Sequence, residues 1–293
     1  MSDQIRPLRS VLYIPGSKDR ALDKAKSLPV DAVIFDLEDA VAPDVKVEAR
    51  ATLAAALGQG GYGNRMRIIR MNALDTPWGE GDASVIRDIA HNSGGCDAVL
   101  LPKVNGPADV DALVALIPDG LPIWVMIETP LAVLNAQSIA AHPRVTGFVA
   151  GTNDLAKDMN TRPAPDRAPL VTALQMMVLG GKAHGVALID GVYNAFKDEE
   201  GLRVEVEQGL SFGFDGKTLI HPAQIDATNE IFAPTEAAID LSRRQIEAYD
   251  AALANGEAVA VVDGKIVENL HVVTAKKVLA LAEAISENNS ANN

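Results

Sequence analysis

Cysteine is almost missing. Cys96 is the only one in 293 residues, which excludes an intrachain disulfide and any Cys-rich zinc site and leaves that thiol as a small buried or half-buried residue. Histidine is sparse too: His91, His142, His184, His221 and His271 show no zinc-type spacing. Aromatic residues make up 4% of the chain, so the core has to come from Ala, Val, Leu and Ile, as in parallel sheets covered by helices. Positive charge is in deficit. A formal charge of −13 and a pI near 4.8 argue against nucleic acid or an anionic membrane as the main partner, although a local gathering of Arg and Lys can still hold an anion. No apolar run approaches the ~18 residues that span a bilayer, and the opening MSDQIRPLRS has no apolar signal segment. A cytoplasmic location without a membrane partner is expected. The turn Pro15-Gly16-Ser17-Lys18 contains no G-x-G-x-x-G, so a dinucleotide site of that kind has no support.

What is present is 48% hydrophobic residues, enough for a large core. The chain reads around Ile123-Trp124-Val125-Met126-Ile127-Glu128-Thr129-Pro130: an apolar run suited to a strand buried on both faces, then a carboxylate, then a helix-starting Thr-Pro. Residues 145–150 followed by Gly151-Thr152-Asn153-Asp154 repeat the design. Strands are expected at 10–15, 32–36, 66–72, 98–104, 122–128, 145–151, 186–190 and 216–221, with amphipathic helices between them, for example at 45–57, 108–117, 131–141 and 170–184. Eight such alternations over about 230 residues predict an α/β fold, a (β/α)8 TIM barrel over 1–233, with a doubly wound open sheet as the competitor. Residues 234–293 do not belong to a simple barrel. They read as a helix capped by Thr235, a hairpin turning on Asp263-Gly264, a helix over 271–286 and a disordered tail at 287–293. A hairpin flanked by helices has little core of its own, which predicts packing on a neighbouring subunit and hence a homo-oligomer.

The expected strand ends are polar in a way core strands are not. They carry Lys18 with Arg20 and Lys24, then Asp36, Glu38 and Asp39, then Arg70 and Asn72, Lys103, Glu128, Asn153 and Asp154, Asp190, and finally Lys217 and His221. In a barrel this rim holds the active site, so an enzyme is expected. Glu128 and Asp154 are hard oxygen donors that together suit Mg²⁺ or Mn²⁺ better than Zn²⁺; singly, they also read as a rim charge and a helix cap. Arg70 offers a planar fork for a substrate carboxylate or a structural ion pair with Glu38 or Asp36. Lys18, Arg20 and Lys24 suit phosphates at a helix start or form a solvated helix face. His221 reads as a packed, hydrogen-bonded barrel residue rather than a base.

The segments Leu12-Tyr13-Ile14-Pro15-Gly16-Ser17, Phe35-Asp36-Leu37-Glu38-Asp39-Ala40-Val41, Ile69-Arg70-Met71-Asn72, Leu101-Pro102-Lys103, Ile127-Glu128-Thr129-Pro130, Gly151-Thr152-Asn153-Asp154-Leu155 and Ile220-His221-Pro222-Ala223-Gln224 resemble, in order, the motifs of the citrate lyase β-subunit-like, or HpcH/HpaI aldolase, superfamily. The resemblance implies a Mg²⁺-dependent barrel (Mn²⁺ as the substitute) acting on small hydroxyacyl-CoA thioesters such as malyl-CoA. It makes Glu128 and Asp154 the metal ligands and Arg70 the carboxylate-binding arginine. Asn153 becomes a substrate contact, and Tyr13, Lys18, Lys24 and His221 become CoA-side contacts. It also places an acidic residue of a neighbour's C-terminal hairpin over the site, which in Lys265-Ile266-Val267-Glu268-Asn269-Leu270 is Glu268, and it leans to trimers or hexamers. Asp190-Gly191-Val192-Tyr193-Asn194-Ala195-Phe196 and the Glu268 segment look most like the branch that hydrolyses (3S)-malyl-CoA to malate and CoA. Glu268, or else Glu38, is then the catalytic carboxylate. The alternative is cleavage of the hydroxyacyl-CoA to acetyl-CoA and glyoxylate or pyruvate.

Overall fold

Apolar runs with both faces buried suit strands in a closed parallel sheet, and most of the eight strands are built that way. In the computed structural model, which describes residues 6–91 and 95–291, they are β1 (Ser10–Pro15), β2 (Ala32–Asp36), β3 (Met66–Arg70), β4 (Ala98–Leu101), β5 (Ile123–Ile127), β6 (Val145–Ala150), β7 (Ala187–Asp190) and β8 (Gly216–Leu219). They pair in parallel in sequence order, and β1 pairs with β8 to close the ring. The expected barrel is the observed one. Val11, Ile34, Ile68, Leu100, Trp124, Met126, Val149 and Ile189 fill the interior. Their alternates, among them Leu12, Val33, Phe35, Ile69, Val99, Val125, Phe148 and Leu188, form the larger core under the helices. Trp124 is accommodated by Gly147 on the next strand, where a Cβ would lie 2.2 Å from the indole Cδ2.

The covering helices are α1 (Asp19–Ala25), α2 (Lys46–Gln59), α3 (Gly79–His91), α4 (Pro107–Val114), α5 (Pro130–Leu134), α6 (Ala136–Ala140), α7 (Thr152–Asp158), α8 (Val171–His184), α9 (Glu199–Phe212) and α10 (Ile225–Phe232). Thr129 starts α5 as its sequence predicts, its Oγ1 accepting from the Ala132 N–H at 3.0 Å. The helix expected over 131–141 is two short ones broken at Asn135, whose side chain donates to the Asn105 carbonyl at 2.7 Å. Several strands also stop before their apolar runs do. Pro102 has no N–H for the ladder, and Lys103 turns left-handed at φ 57°. Asn72 leaves the sheet to bind Asp82 through its main-chain and side-chain nitrogens.

The chain divides into two compact units, Leu8–Phe232 and one made of the chain from Ala233 onward together with the described residues before Leu8. The second contains α11 (Glu236–Ala254), β9 (Ala260–Val262), β10 (Lys265–Val267) and α12 (Asn269–Ala291). Thr235 caps α11 by accepting from the Ala238 N–H at 3.1 Å. Asp263 and Gly264 both have positive φ, 49° and 74°, as the hairpin turn requires. The core is small: Ala252, Ala260, Val267 and Val272 with Ile246, Ala248, Tyr249 and Val262 beside them. The tail expected to be disordered from 287 is instead helical to Ala291; the expectation for 292–293 lies outside the described residues. The polar composition of this stretch misled because the ladder of α12 simply continues, with Ser290 Oγ donating to the Ser286 carbonyl at 2.9 Å.

Candidate active site

Glu128 follows β5, and Asp154 stands in the first turn of α7, just past β6. Since β5 and β6 are neighbours in the ring, the two carboxylates leave adjacent staves on the same rim. Gly151 between them gives Glu128 its room: a Cβ there would lie 2.3 Å from Glu128 Cβ and 2.9 Å from its Oε2. Both groups converge on Lys103. Its backbone N–H donates to Glu128 Oε1 at 2.7 Å, and its Nζ lies 3.4 Å from the same oxygen. The Nζ also donates to Asp154 Oδ2, while Lys157 Nζ reaches the other oxygen, Oδ1, at 3.0 Å. Burial pushes the Glu128 carboxyl up, against the pull of Lys103. Burial raises Asp154 as well, but the hydrogen bonds from Lys103 and Lys157 outweigh it and hold that carboxyl below the usual range.

A single ammonium thus touches both carboxylates, which marks a point built for positive charge. Among the described residues no group of three or more His, Cys, Asp or Glu is placed to share a metal ion. The protein's donor set there is therefore two carboxylates. Such a set fits Mg²⁺, which usually binds one or two carboxylates and fills its shell with water and substrate oxygens, and fits Zn²⁺ poorly.

Arg70, at the end of β3, is 7% exposed. Asp36 binds its Nε and Nη2 at 2.8 and 2.6 Å, and Glu38 Oε2 and Asp39 Oδ2 approach Nη1 at 2.7 and 3.4 Å. The guanidinium also packs on Tyr13, 4.9 Å from the ring centroid. The ion pair weighed in the sequence therefore exists, with Asp36 as its main partner. The loop carrying these acids is fixed from below, as buried Lys46 donates to the Leu37 and Glu38 carbonyls at 2.9 and 2.7 Å. Burial pushes the Glu38 carboxyl up to about 8, a rise that Arg70 only partly offsets.

Tyr13, Asp36, Asp39, Arg70, Met126, Glu128, Asn153, Asp154 and Asn194 line one cavity of about 320 Å³. Asn153 and Asn194 close its side with a reciprocal amide pair at 2.8 and 3.2 Å. Glu38 is not among the lining residues; it reaches the site only through its 2.7 Å contact with Arg70. Lys18, just before α1, and Lys24, on α1, are exposed and do not line the cavity either. His221 is exposed rather than packed in the barrel. It stacks on Phe196, centroids 4.6 Å apart, and its Nδ1 accepts from the Ala223 N–H at 3.1 Å. Glu268, in the C-terminal unit, is exposed just before α12.

Two residues read as rim chemistry are structural instead. Asp190 and Lys217 are both 0% exposed. Lys217 Nζ donates to Asp190, the Gly191 carbonyl and Glu205 at 3.1, 2.6 and 2.7 Å, so its three protons are used. Arg167 binds both Asp190 oxygens at 2.8 and 2.9 Å. The sequence reading missed Arg167 because it lies 23 residues before its partner in a loop with no periodic signal. The role of Lys103 escaped for a similar reason, although Leu101-Pro102-Lys103 placed it on the rim.

The family profile described as HpcH/HpaI aldolase/citrate lyase matches residues 9–222. The chain belongs to this family. Among its members, the (3S)-malyl-CoA thioesterase of Cereibacter sphaeroides (strain ATCC 17029 / ATH 2.4.9) is 56% identical over 286 residues, covering 98% of each chain. The L-malyl-CoA/beta-methylmalyl-CoA lyase of the same strain is 32% identical, covering 96% of each. Of the solved structures, the citrate lyase beta subunit from M. tuberculosis complexed with oxaloacetate and magnesium superposes with a TM-score of 0.67 at 26% identity, covering 80% of this chain and all of that one. Among the described residues no helix is long and apolar enough to cross a membrane.

Proposed function

We propose that this HpcH/HpaI family member hydrolyses (3S)-malyl-CoA to malate and CoA with the help of Mg²⁺. The observation that carries the reading is the 56% identity to a (3S)-malyl-CoA thioesterase along 98% of both chains, joined to a cavity whose polar wall is Arg70, Glu128 and Asp154. Glu128 and Asp154 would hold the cation. Bound there, it supplies Lewis-acid charge beside the oxygens of a 2-hydroxyacyl group.

The chain's own residues account for the rest. Arg70 offers its guanidinium to the substrate carboxylate while Asp36 keeps the fork oriented, and Tyr13 and Met126 give the acyl chain an apolar floor. Asn153 offers an amide to its oxygens. Glu268 from a neighbouring copy of a homo-oligomer takes a proton from water, whose oxygen attacks the thioester carbonyl carbon. The C–S bond then breaks, and the CoA thiolate leaves as the thiol, taking the proton that Glu268 received. Glu38 acts through Arg70 as a positioning residue. Lys18, Lys24 and His221 contact the CoA end.

Incubation with malyl-CoA and Mg²⁺ tests this directly: malate and free CoA thiol in equal amounts are expected. Acetyl-CoA and glyoxylate would give the second reading, a lyase, which the 32% identity to the malyl-CoA/methylmalyl-CoA lyase keeps in view.

A further inference from the structure

We propose that Lys103 is a built-in counter-ion that partly offsets the charge of the Glu128–Asp154 pair in the metal-free protein and must be displaced for a divalent cation to bind. This rests on the reading of that pair as the metal site. The ammonium and a metal ion compete for the same ground, because Nζ is hydrogen-bonded to Asp154 Oδ2 and lies 3.4 Å from Glu128 Oε1. Two carboxylates facing one another without a cation repel, and Glu128, with a side chain only 2% exposed, has little water to screen it.

Three features suit Lys103 to leave and return. Its backbone is fixed apart from its side chain: the main-chain N–H is held by Glu128 at 2.7 Å and the residue sits at φ 57°, a conformation uncommon for a residue with a Cβ. The side chain is 39% exposed, so its movement needs no repacking of the core. Lys103 also lines a second cavity, of about 210 Å³, together with Asp75, Asn105 and Asp109, which gives a displaced ammonium acidic and amide company. The barrel then holds a site that is partly neutralised from within and opens only against the pull of its own lysine. Metal affinity is set lower than two buried-edge carboxylates alone would give.

The test is Mn²⁺ binding followed by EPR on the folded chain, with Lys103→Met compared to Lys157→Met. Lys157 pairs with the same aspartate from outside, at 3.0 Å, and its removal deletes the same charge without vacating the shared position. Lys103→Met is expected to bind Mn²⁺ about ten-fold or more tightly than the parent, since a charge-assisted competitor is gone. Lys157→Met is expected to stay within about three-fold, as exposed pairs contribute little. Lys103→Gln serves if the Met variant does not fold. Equal shifts in the two variants, or unchanged or weaker binding in the Lys103 variants, overturn the counter-ion role while leaving the metal site standing. Absence of Mn²⁺ binding in the parent and every variant overturns both.

Discussion

Asp36 grips Arg70 through both carboxylate oxygens, at 2.8 Å to Nε and 2.6 Å to Nη2. That pairing uses one edge of the fork and leaves Nη1 on the side of Glu38 and Asp39. A buried guanidinium left without such a partner is costly. Asp36→Asn is therefore expected to lower stability by about 3 kcal/mol and to raise the KM for the acyl substrate, because the fork can then rotate. Urea midpoints and steady-state kinetics read the two effects. Unchanged values for both would remove Asp36 from the account of the site.

Metal dependence follows from the donor set. Dialysis against EDTA is expected to abolish hydrolysis and added Mg²⁺ to restore it. Glu128→Gln and Asp154→Asn should each lower metal affinity by at least about ten-fold. Full turnover after chelation would end the metal reading.

Gly151 gives a finer test of the same geometry. With a Cβ predicted to fall 2.3 Å from Glu128 Cβ, Gly151→Ala must push that side chain aside. Metal affinity and kcat are expected to fall together while the circular dichroism spectrum stays that of the barrel. A variant with parental activity would mean that the Glu128 position is less constrained than its packing implies.

Glu38 predicts a pH dependence of stability. Its carboxyl is raised from 4.5 to about 8, burial being the main cause, so between those values the folded chain holds a proton that the unfolded chain has released. The favourable contribution is complete below about 4.5 and is lost as pH rises through about 8. In metal-free protein, denaturant stability is expected to fall by on the order of 5 kcal/mol across that window for this group, and Glu38→Gln should flatten the slope. Parallel profiles for parent and variant would exclude it.

The Asp190 network acts in the opposite sense. Burial raises this carboxyl, but Lys217 and Arg167 outweigh it and hold it below the usual range, so its contribution is present above about pH 4 and is lost as pH falls through its folded value. Asp190→Ala leaves two buried cations, Arg167 and Lys217, with Glu205 as their remaining carboxylate and is expected to cost about 3 kcal/mol, seen as a drop in Tm at neutral pH.

Much of this was readable in the chain before any coordinates. Burial on both faces writes a local pattern, so Ile123 to Ile127 and its seven counterparts announced themselves, and so did Thr129, Thr235 and Asp263-Gly264, whose signals span only a few residues. The carboxylates at 128 and 154 were legible as strand-end residues. What stayed hidden depends on partners far away in sequence. Lys103 meets Asp154 across 51 positions and Arg167 meets Asp190 across 23. The same blindness made Asp190 and Lys217 look like rim chemistry, because a strand-end charge that turns inward to a satisfied cluster reads the same as one that faces a ligand.

The ring of strands has one more consequence, for synthesis. Ser10 is registered against Lys217, so the first stave cannot find its second neighbour until the eighth has left the ribosome. Until then β1 offers an open edge, and the nascent sheet is an unclosed hoop whose free border invites wrong pairings. Closing the hoop draws together ends separated by most of the barrel, the kind of remote contact that slows folding.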